Sequence, residues 1–369
     1  MKAKSLLTSL LCCLSTWLHS ALSAHPLDEW QLRYSVPTNL PGPFFHTVTF
    51  GKGLFVAVGT HSGIATSETG EEWALQSLGT GQVFKWAAYG NDAFVIVGLG
   101  GTILSSPDGT NWTPAVSGTL FDLNRVEFGN GVFVAVGPGN VLTSVNGTNW
   151  TKQLQAPYTS GYILGYGNGL FIAESWPAGS HLLSADGAQW TAYPLPSPRN
   201  LYACGGAKER LFLIDTDDNV FASKDGILWK ESGSVAQFRH GQIAYGYGQI
   251  IACGGGRLEY SNDGVNWTLT TNTNYGRPSG VAFGHGTLVG AQGRDLVQSS
   301  PLVYLEARGK NSFSLEGPEG RAYEIQSSVN PGGPWNYATN FVLLSSPQIW
   351  QDPEPNGTGE KFYRAVLQP

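Results

Sequence analysis

Seven of the twelve tryptophans stand at nearly even intervals along this 369-residue chain. From the first of them onward, the gaps are 43, 39, 38, 40, 39 and 38 residues. The seven positions are Trp30, Trp73, Trp112, Trp150, Trp190, Trp229 and Trp267. A period near 40 residues indicates one supersecondary unit repeated along the chain, so this repeat constrains the fold more strongly than any local pattern does.

Each repeat contains four short runs of β-forming residues separated by Gly, Asn and Asp. In the second repeat the first three runs occupy 86–89, 93–98 and 102–106, and the fourth begins at Trp112. A tetrad related to Phe/Tyr-Gly-Asn-Gly separates the first two runs, and an Asp-Gly turn separates the last two. Each repeat therefore predicts a four-stranded antiparallel meander, whose strands we designate a to d in chain order.

A single meander cannot bury both of its faces, whereas copies packed around an axis can, which predicts a β-propeller. Six repeats are complete, and a seventh begins at Val281 but ends at Ser300 without its tryptophan strand. The stretch from Trp30 to Tyr34 fits as that missing strand d. The sequence thus predicts an all-β, seven-bladed propeller over residues 25–301, closed by an N-terminal strand.

The turns before the tryptophans share a Ser-x-Asp-Gly-x-x-Trp pattern at 106–112, 184–190, 223–229 and 261–267. They resemble shortened Asp-box (BNR) repeats, which occur in sialidase-like propellers, xyloglucan-cleaving glycosidases and photosystem II assembly factor-like proteins. Thr69 and Asn146 stand where the resemblance would place Asp. The resemblance covers about residues 44–300 and implies a fold, with no particular activity. Asp is expected to accept backbone N–H bonds, Gly to supply a positive φ, and Trp to pack between blades.

The period is lost in the last part of the chain, residues 302–369. Short β-forming runs there, separated by Pro/Gly-rich turns at 331–334 and 353–357, predict a small β-sandwich. The phrases at 323–328, 351–353 and 362–365 resemble a C-terminal module of many exported proteins from Verrucomicrobia-like bacteria. That resemblance implies an accessory or surface-attachment role.

The first 24 residues have the features of a secretory signal. Lys2 and Lys4 precede an apolar stretch from Leu6 to Leu18, and the small residues of 21–24 offer cleavage sites. No later segment is apolar enough to span a bilayer. We therefore expect a cleaved leader and a secreted, periplasmic or cell-surface protein.

Charge and cysteine content narrow the classes of partner and chemistry. The formal net charge is −6, and loss of the leader lysines makes it −8, without any basic run, which argues against nucleic acid as a partner. The leader also removes two of the four cysteines, leaving Cys204 and Cys253. These two are either buried apolar side chains or a single bridge between neighbouring repeats. We expect a monomer without a cofactor or a metal.

In a propeller, the d–a and b–c connections share one face, where ligands usually bind. Aromatic residues and arginines in these connections suit a sugar or another polar polymer, so the expected partner is an extracellular polysaccharide or a surface protein. The candidate ligand-binding residues are His46, Trp86, Arg125, Tyr162, Trp176, Tyr202, Arg239 and Arg277. The rim histidines, His61 and His181 among them, show no short metal-ligand spacing.

Catalytic alternatives depend on a few rim residues. Glu174, at the start of an insert that runs to His181, can face Asp215, Asp217 or Asp218 as a glycosidase pair. A lyase would use His46 or His240 as its base beside an arginine that neutralises a uronate. Arg125, Arg239 and Arg277 match a sialidase arginine triad in number. The Phe/Tyr-Arg-Ile-Pro phrase of that family is absent, so its catalytic roles are not transferred.

The favoured interpretation is a non-catalytic binding protein for extracellular glycan or protein. The first alternative is a carbohydrate-active enzyme, either a glycoside hydrolase or a polysaccharide lyase, with its site on the d–a/b–c face. The second alternative is an envelope assembly factor that clamps a partner protein. An enzyme requires two acids, or an acid and a base, that both reach the ligand, whereas a binding module does not.

Overall fold

The computed structural model describes residues 25–39, 42–153, 159–175, 179–196, 199–207, 209–236, 238, 241–271, 275, 278–309, 312–330, 333–352 and 361–368. The expected leader lies outside the described residues. Within them, no helix is long and apolar enough to cross a membrane.

The described chain is all-β, as expected from the sequence, with two short 3-10 turns at Pro26–Asp28 and Leu99–Gly101. The strands of the repeat region are β1 (Trp30–Ser35), β2 (Phe45–Gly51), β3 (Leu54–Gly59), β4 (Gly63–Ser67), β5 (Ala74–Ser77), β6 (Phe84–Gly90), β7 (Ala93–Gly98), β8 (Ile103–Ser106), β9 (Thr113–Pro114), β10 (Arg125–Gly129), β11 (Val132–Gly137), β12 (Asn140–Ser144), β13 (Thr151–Lys152), β14 (Thr159–Gly167), β15 (Leu170–Ser175), β16 (Ser180–Ser184), β17 (Thr191–Pro194), β18 (Leu201–Ala207), β19 (Arg210–Asp215), β20 (Asn219–Ser223), β21 (Lys230–Ser234), β22 (Gly241–Gly246), β23 (Gln249–Gly254), β24 (Arg257–Ser261), β25 (Thr268–Leu269), β26 (Gly280–Gly284), β27 (Thr287–Gln292) and β28 (Asp295–Ser299). The C-terminal strands are β29 (Tyr304–Gly309), β30 (Ser312–Glu316), β31 (Ala322–Ser328), β32 (Asn336–Val342), β33 (Gln348–Gln351) and β34 (Phe362–Leu367).

Over the described residues, β1 to β28 form seven four-stranded antiparallel sheets. Six of them take four consecutive strands each, from β2–β5 (sheet one) to β22–β25 (sheet six). Sheet seven has the order β26-β27-β28-β1, with Trp30 opposite Ser299 and Ser35 opposite Asp295. The last repeat therefore takes its fourth strand from the beginning of the described chain.

The first strands of the seven sheets contact one another in a closed ring around a central channel. β2 contacts β6, each following first strand contacts the next, and β26 contacts β2. Apolar clusters fill the spaces between neighbouring sheets, as in the cluster that joins Val95 of sheet two to Val126 and Phe133 of sheet three. This arrangement is a β-propeller, with its core divided among the intersheet spaces.

The ends of five of the seven inner strands couple neighbouring sheets through a glycine that lies under an aromatic ring of the next sheet. Tyr89 packs on Gly51 of the preceding sheet so closely that a Cβ there would lie 2.0 Å from the ring. Phe128 on Gly90 and Tyr166 on Gly129 repeat this contact. The first Gly of the predicted a–b tetrad is therefore required by close packing, whereas the second Gly, such as Gly53 or Gly131, supplies the positive φ of the turn. In sheet five, Gly206 stands in place of the aromatic residue and packs directly against Gly167 of sheet four.

The Asp-Gly turns perform the structural role expected from the sequence. Asp108 Oδ1 accepts bonds from the backbone N–H of Thr110 at 2.9 Å and of Asn111 at 2.8 Å. Gly109 has a φ of +75°, and the indole of Trp112 donates to its carbonyl at 3.1 Å. These N–H donors hold the pKa of Asp108 below its usual value. The amide oxygen of Asn146 accepts the equivalent bonds, which explains how that repeat tolerates the replacement.

The C-terminal strands form two three-stranded antiparallel sheets, β29-β30-β33 and β32-β31-β34. Leu315, Tyr323 and Leu343 are the fully buried members of their apolar cluster. This module packs on the a–b hairpins of sheets six and seven, where Tyr304 contacts Gly248 and Pro318 contacts Gly286. The a–b hairpins lie on the face opposite the d–a and b–c connections, so the module leaves that second face uncovered.

Candidate functional site

The d–a and b–c connections define what we call the loop face. His46, Trp86 and Arg125 stand near the starts of the inner strands β2, β6 and β10, and Tyr162 and Tyr202 belong to β14 and β18. The other candidates, namely Trp176, Arg239, His240 and Arg277, lie outside the described residues.

Arg125 extends across the central channel near the loop face. Its guanidinium stacks on the ring of Trp86, with 3.5 Å between the guanidinium carbon and the ring centroid. Nε donates to the carbonyl of Tyr162 at 3.2 Å, and Nη2 donates to the carbonyl of Gly241 at 2.9 Å. Gly241 begins the inner strand of sheet six, so the side chain reaches from sheet three across the channel. A planar guanidinium can stack and donate at the same time, which suits it to this position.

The structure brings Trp86 and Arg125 together, but in an interior contact. Both side chains are buried, at 6% and 8% exposure, and the arginine donates to backbone carbonyls. Neither residue therefore presents a surface to a ligand that approaches the loop face. Their described contacts connect sheets two, three, four and six across the channel.

Towards the a–b hairpins the inner strands line an open pocket of about 250 Å³, and Glu127 is the one acidic residue among its described lining residues. Glu127 is half-buried, lies two residues after Arg125 and accepts a bond from the indole of Trp86. Burial raises its pKa from 4.5 to about 7, although the charge of Arg125 and the indole N–H both act to lower it.

Glu127 was not among the residues predicted from the sequence, yet the repeat contains a signal for it. The equivalent positions in the other inner strands hold only small residues, namely Thr49, Ala88, Gly165, Gly205, Ala244 and Ala282. A carboxyl at a position otherwise occupied by Thr, Ala or Gly distinguishes the inner strand of sheet three from those of the other six sheets.

His46 connects sheet one to sheet two at the loop-face end of the inner strands. Its Nδ1 lies 2.8 Å from the carbonyl of Phe84, and burial lowers its pKa. A carbonyl can only accept, so Nδ1 carries the hydrogen and Nε2 is the basic nitrogen of the neutral ring.

Of the four carboxylates proposed for catalysis, Asp218 accepts from the backbone N–H of Phe238 at 2.8 Å, and the other three also have local partners. Asp215 is 1% exposed, and its Oδ1 accepts from the backbone N–H of Asp217 at 2.9 Å and of Asn219 at 3.0 Å. Its burial keeps it from touching a ligand, so it caps its own turn. Asp217 forms a surface ion pair with Arg199 at 2.7 Å.

The third carboxylate, Glu174, lies within a strand and not in an insert. β15 runs to Ser175 and β16 begins at Ser180, which makes Glu174 and His181 cross-strand partners. Glu174 accepts from the backbone N–H of Leu201 at 3.4 Å. His181 is fully buried, and its Nε2 lies 2.7 Å from the carbonyl of Gly226. The predicted rim position of His181 is therefore wrong, because the connection is shorter than the sequence suggested.

The most exposed apolar side chains of the loop face belong to one connection, residues 115–124, which we call the apolar loop. Val116, Leu120 and Phe121 are 84%, 90% and 66% exposed. The base of the loop is fixed, because Asp122 accepts from the N–H of Gly100 at 2.9 Å and the N–H of Leu123 donates to Gly98 at 3.0 Å. The expectation of aromatic and arginine side chains on this face did not single out this loop, because Val116 and Leu120 are aliphatic.

Cysteine and metal chemistry contribute little to the described site. Cys204 and Cys253 are buried free thiols, and burial raises the pKa of both, that of Cys253 to about 12. Within the described part of the chain, no group of three or more His, Cys, Asp or Glu side chains has a metal-binding arrangement.

Comparison with known proteins supports the fold. No family model matches the sequence, and no curated protein matches it. Among solved structures, YCF48 bound to D1 peptide is 18% identical, with a TM-score of 0.61 over 76% of this chain and 96% of that one. YCF48 from Cyanidioschyzon merolae is 15% identical, with a TM-score of 0.55 over 74% and 98%. An inactive virginiamycin B lyase from Staphylococcus aureus with quinupristin is 10% identical, with a TM-score of 0.60 over 74% and 99%. At these identities the likeness establishes a β-propeller fold.

Proposed function

We propose that this chain is an exported, seven-bladed propeller of the Asp-box type that binds an extracellular or surface protein through its loop face, without catalysing a reaction. The C-terminal β-sandwich module is the accessory part and occupies the opposite face. The observation that carries the proposal is the apolar loop, which holds three exposed apolar side chains on an anchored base.

The chemistry of the apolar loop favours a protein partner over a glycan. Burial of aliphatic side chains such as Val116 and Leu120 against a partner is favourable. These side chains offer a sugar neither a flat aromatic ring nor a hydrogen bond. Contiguous exposed apolar surface is typical of sites of protein–protein contact. Phe44 and Tyr162 add exposed aromatic surface elsewhere on the same face.

The position of Arg125 favours a partner that lies across the surface. The side chain spans the channel from sheet three to sheet six, so we expect a ligand on the loop face to contact loops and not to insert into the ring. YCF48 has been solved with a D1 peptide, which provides an example of peptide binding by a propeller of similar fold. Binding of this kind also fits the assembly-factor alternative, in which the partner is a protein under assembly in the envelope.

Site-specific crosslinking tests the proposal. A photoreactive residue at position 120 should form a discrete protein adduct in cells that export the chain, and a photoreactive residue at 228 should not. Leu228 is the matched control because it is 78% exposed and lies in the c–d turn of sheet five, on the opposite face. The variant Leu120→Asp/Phe121→Asp should weaken binding of the identified partner at least tenfold, and Leu228→Asp should leave it unchanged.

A glycan array read for both retention and product release tests the alternatives. Retention on a glycan that survives the Leu120→Asp/Phe121→Asp change, without a protein adduct, would replace the protein partner with a glycan. Release of a shortened product would establish the enzyme alternative. Glu174→Gln would then show whether the carboxylate of β15 takes part.

A further inference from the structure

The open pocket towards the a–b hairpins combines space with a carboxyl group that no described side chain neutralises. Its volume is about 250 Å³. The positions equivalent to Glu127 in sheets two, six and seven are Ala88, Ala244 and Ala282, which line the pocket and leave it open. In sheets four and five the equivalent residues are glycines, where an added Cβ would touch the next inner strand. The space therefore lies on the side of sheets one, two, three, six and seven.

The carboxyl group of Glu127 has acceptor positions that described donors do not use. Its one described donor is the indole N–H of Trp86, which lines the inner end of the pocket. A carboxylate offers about four acceptor positions on its two oxygens, so this donor accounts for only one of them. Glu127 also belongs to none of the ion pairs between described residues, which are Arg33–Glu71, Arg199–Asp217 and Lys361–Asp352.

Arg125 does not neutralise Glu127 directly, although it lies two residues away in the same strand. Its guanidinium stacks on Trp86, donates to the carbonyls of Tyr162 and Gly241, and is absent from the described lining of the pocket. An ionised carboxylate at a buried position costs free energy unless a cation accompanies it. A cation that meets this need has to come from the open side of the pocket.

The walls of the pocket suit a cation that is carried on an apolar stem. Towards the a–b hairpins they include the half-buried rings of Phe50, Tyr89, Phe128 and Phe283. An aliphatic chain gains free energy by contact with these rings and with the alanine methyl groups. A metal ion, in contrast, would find a single carboxylate, whereas protein sites for Mg²⁺ or Ca²⁺ normally supply more oxygen ligands. A small, mostly apolar pocket with one charged group at its end has the form of a site for a small organic ligand.

We propose that this pocket binds a primary alkylammonium group, with the ammonium on the carboxylate of Glu127 and the aliphatic stem against the alanine methyl groups and the aromatic rings. An ammonium has three N–H donors, and its bonds to a carboxylate are charge-assisted. The pocket lies away from the loop face, so the site goes beyond the proposed function and can be tested without it. The same chemistry occurs in a free alkylamine and in a lysine side chain of a partner.

Alanine-methyl NMR of residues 25–369, titrated with n-butylammonium chloride, tests the site. The titration is made at pH 8, where Glu127, with a pKa of about 7, is ionised. The methyl signals of Ala88, Ala244 and Ala282 should shift saturably, with a dissociation constant of about 1 mM for a ligand of so few atoms. n-Butanol has a stem of the same length without the charge and should bind at least about tenfold more weakly.

Two variants separate the carboxylate from the space around it. Glu127→Gln keeps the size of the side chain but removes the charge, so n-butylammonium should bind at least about tenfold more weakly. Ala244→Leu keeps the carboxylate but fills part of the pocket, and should weaken binding as well. Glu231→Gln is the matched control because Glu231 is exposed on β21, outside the channel, and this variant should bind like the wild type.

Capped tripeptides distinguish the two sources of the ammonium group. Binding of Ala-Lys-Ala but not of Ala-Ala-Ala would assign the pocket to a lysine side chain of a partner, and exclusion of both peptides would assign it to a free alkylamine. Wild-type signals that do not shift at about 50 mM n-butylammonium, well above the expected constant, overturn the proposal. Binding that is unchanged in Glu127→Gln, or equal for n-butanol, overturns it as well.

Discussion

Glu127→Gln tests whether the carboxyl of Glu127, which lines the channel, is protonated in the folded protein near neutral pH. The carboxyl has a pKa of about 7 in the folded protein, against an ordinary 4.5. Between these two pH values the folded state keeps a proton that the unfolded state has released. The stability of the wild-type protein therefore falls as the pH rises from 4.5 to about 7.

The size of this effect follows from the difference between the two pKa values. It corresponds to about 3 kcal/mol, at about 1.4 kcal/mol per pH unit. Glutamine cannot ionise, and its side-chain oxygen still accepts from the indole of Trp86. The variant should match the wild-type stability near pH 4.5 and exceed it by about 3 kcal/mol at pH 8.

Urea unfolding, followed by tryptophan fluorescence at pH 4.5, 6 and 8, measures this difference. Glu231→Gln is the control, because Glu231 is exposed on β21 and lies outside the channel. A Glu127→Gln variant that is less stable than the wild type at pH 8 would refute the reasoning. That result would mean that Glu127 is ionised in the fold and that its attraction to Arg125 exceeds the cost of burial.

Three further changes test the repeat. Gly129→Ala puts a Cβ 2.2 Å from the ring of Tyr166 and should cost about 2–3 kcal/mol in urea unfolding; a loss below 1 kcal/mol would contradict the ring-on-glycine packing. Ser232→Ala removes the hydroxyl that donates to the carbonyl of Gly264, three residues before Trp267. The buried indole N–H of Trp267 has no hydrogen-bond partner among the described residues and can then donate to this carbonyl, so the thermal midpoint should hardly change. A loss of stability above about 1.5 kcal/mol would contradict this replacement of one donor by another. N–H bonds lower the pKa of Asp108, so the stabilisation of the fold by its carboxylate is present above about pH 4 and is lost at lower pH. Asp108→Asn should therefore make the stability of the protein less dependent on pH below about pH 4. An unchanged pH dependence of unfolding in acid would count against the stabilising role of this carboxylate.

Local chemistry explains why so much of the fold could be predicted. Alternating β-forming residues and Gly or Asp turns act over a few positions, and their repetition every 40 residues averages out local exceptions. The hydrogen bonds of Asp108 and the positive φ of Gly109 both follow from residues within the same turn. The packing of Tyr89 on Gly51 was less accessible, because it joins different repeats.

The candidate site was harder to predict because its contacts join distant positions. Arg125 and the carbonyl of Gly241 are 116 residues apart, and no local pattern relates them. His181 was expected on the rim, but a strand that begins at Ser180 carries it into the interior. Glu127 differs from the small residues at its equivalent positions, so a column-by-column comparison of the repeats would have found it.

The pairing of β1 with β28 has a consequence for the order of folding. Arg33 of β1 bonds to Gln298 of β28, so ring closure joins positions 265 residues apart. A chain synthesised from its N-terminus produces the closing strand first and its partner nearly last. Intermediate lengths of chain hold stacked sheets with two open ends, which expose apolar surface to chaperones. Completion of the circle is then the step that turns a growing polypeptide into a protease-resistant one, and pulse proteolysis of chains released at successive lengths would reveal it as a single late transition.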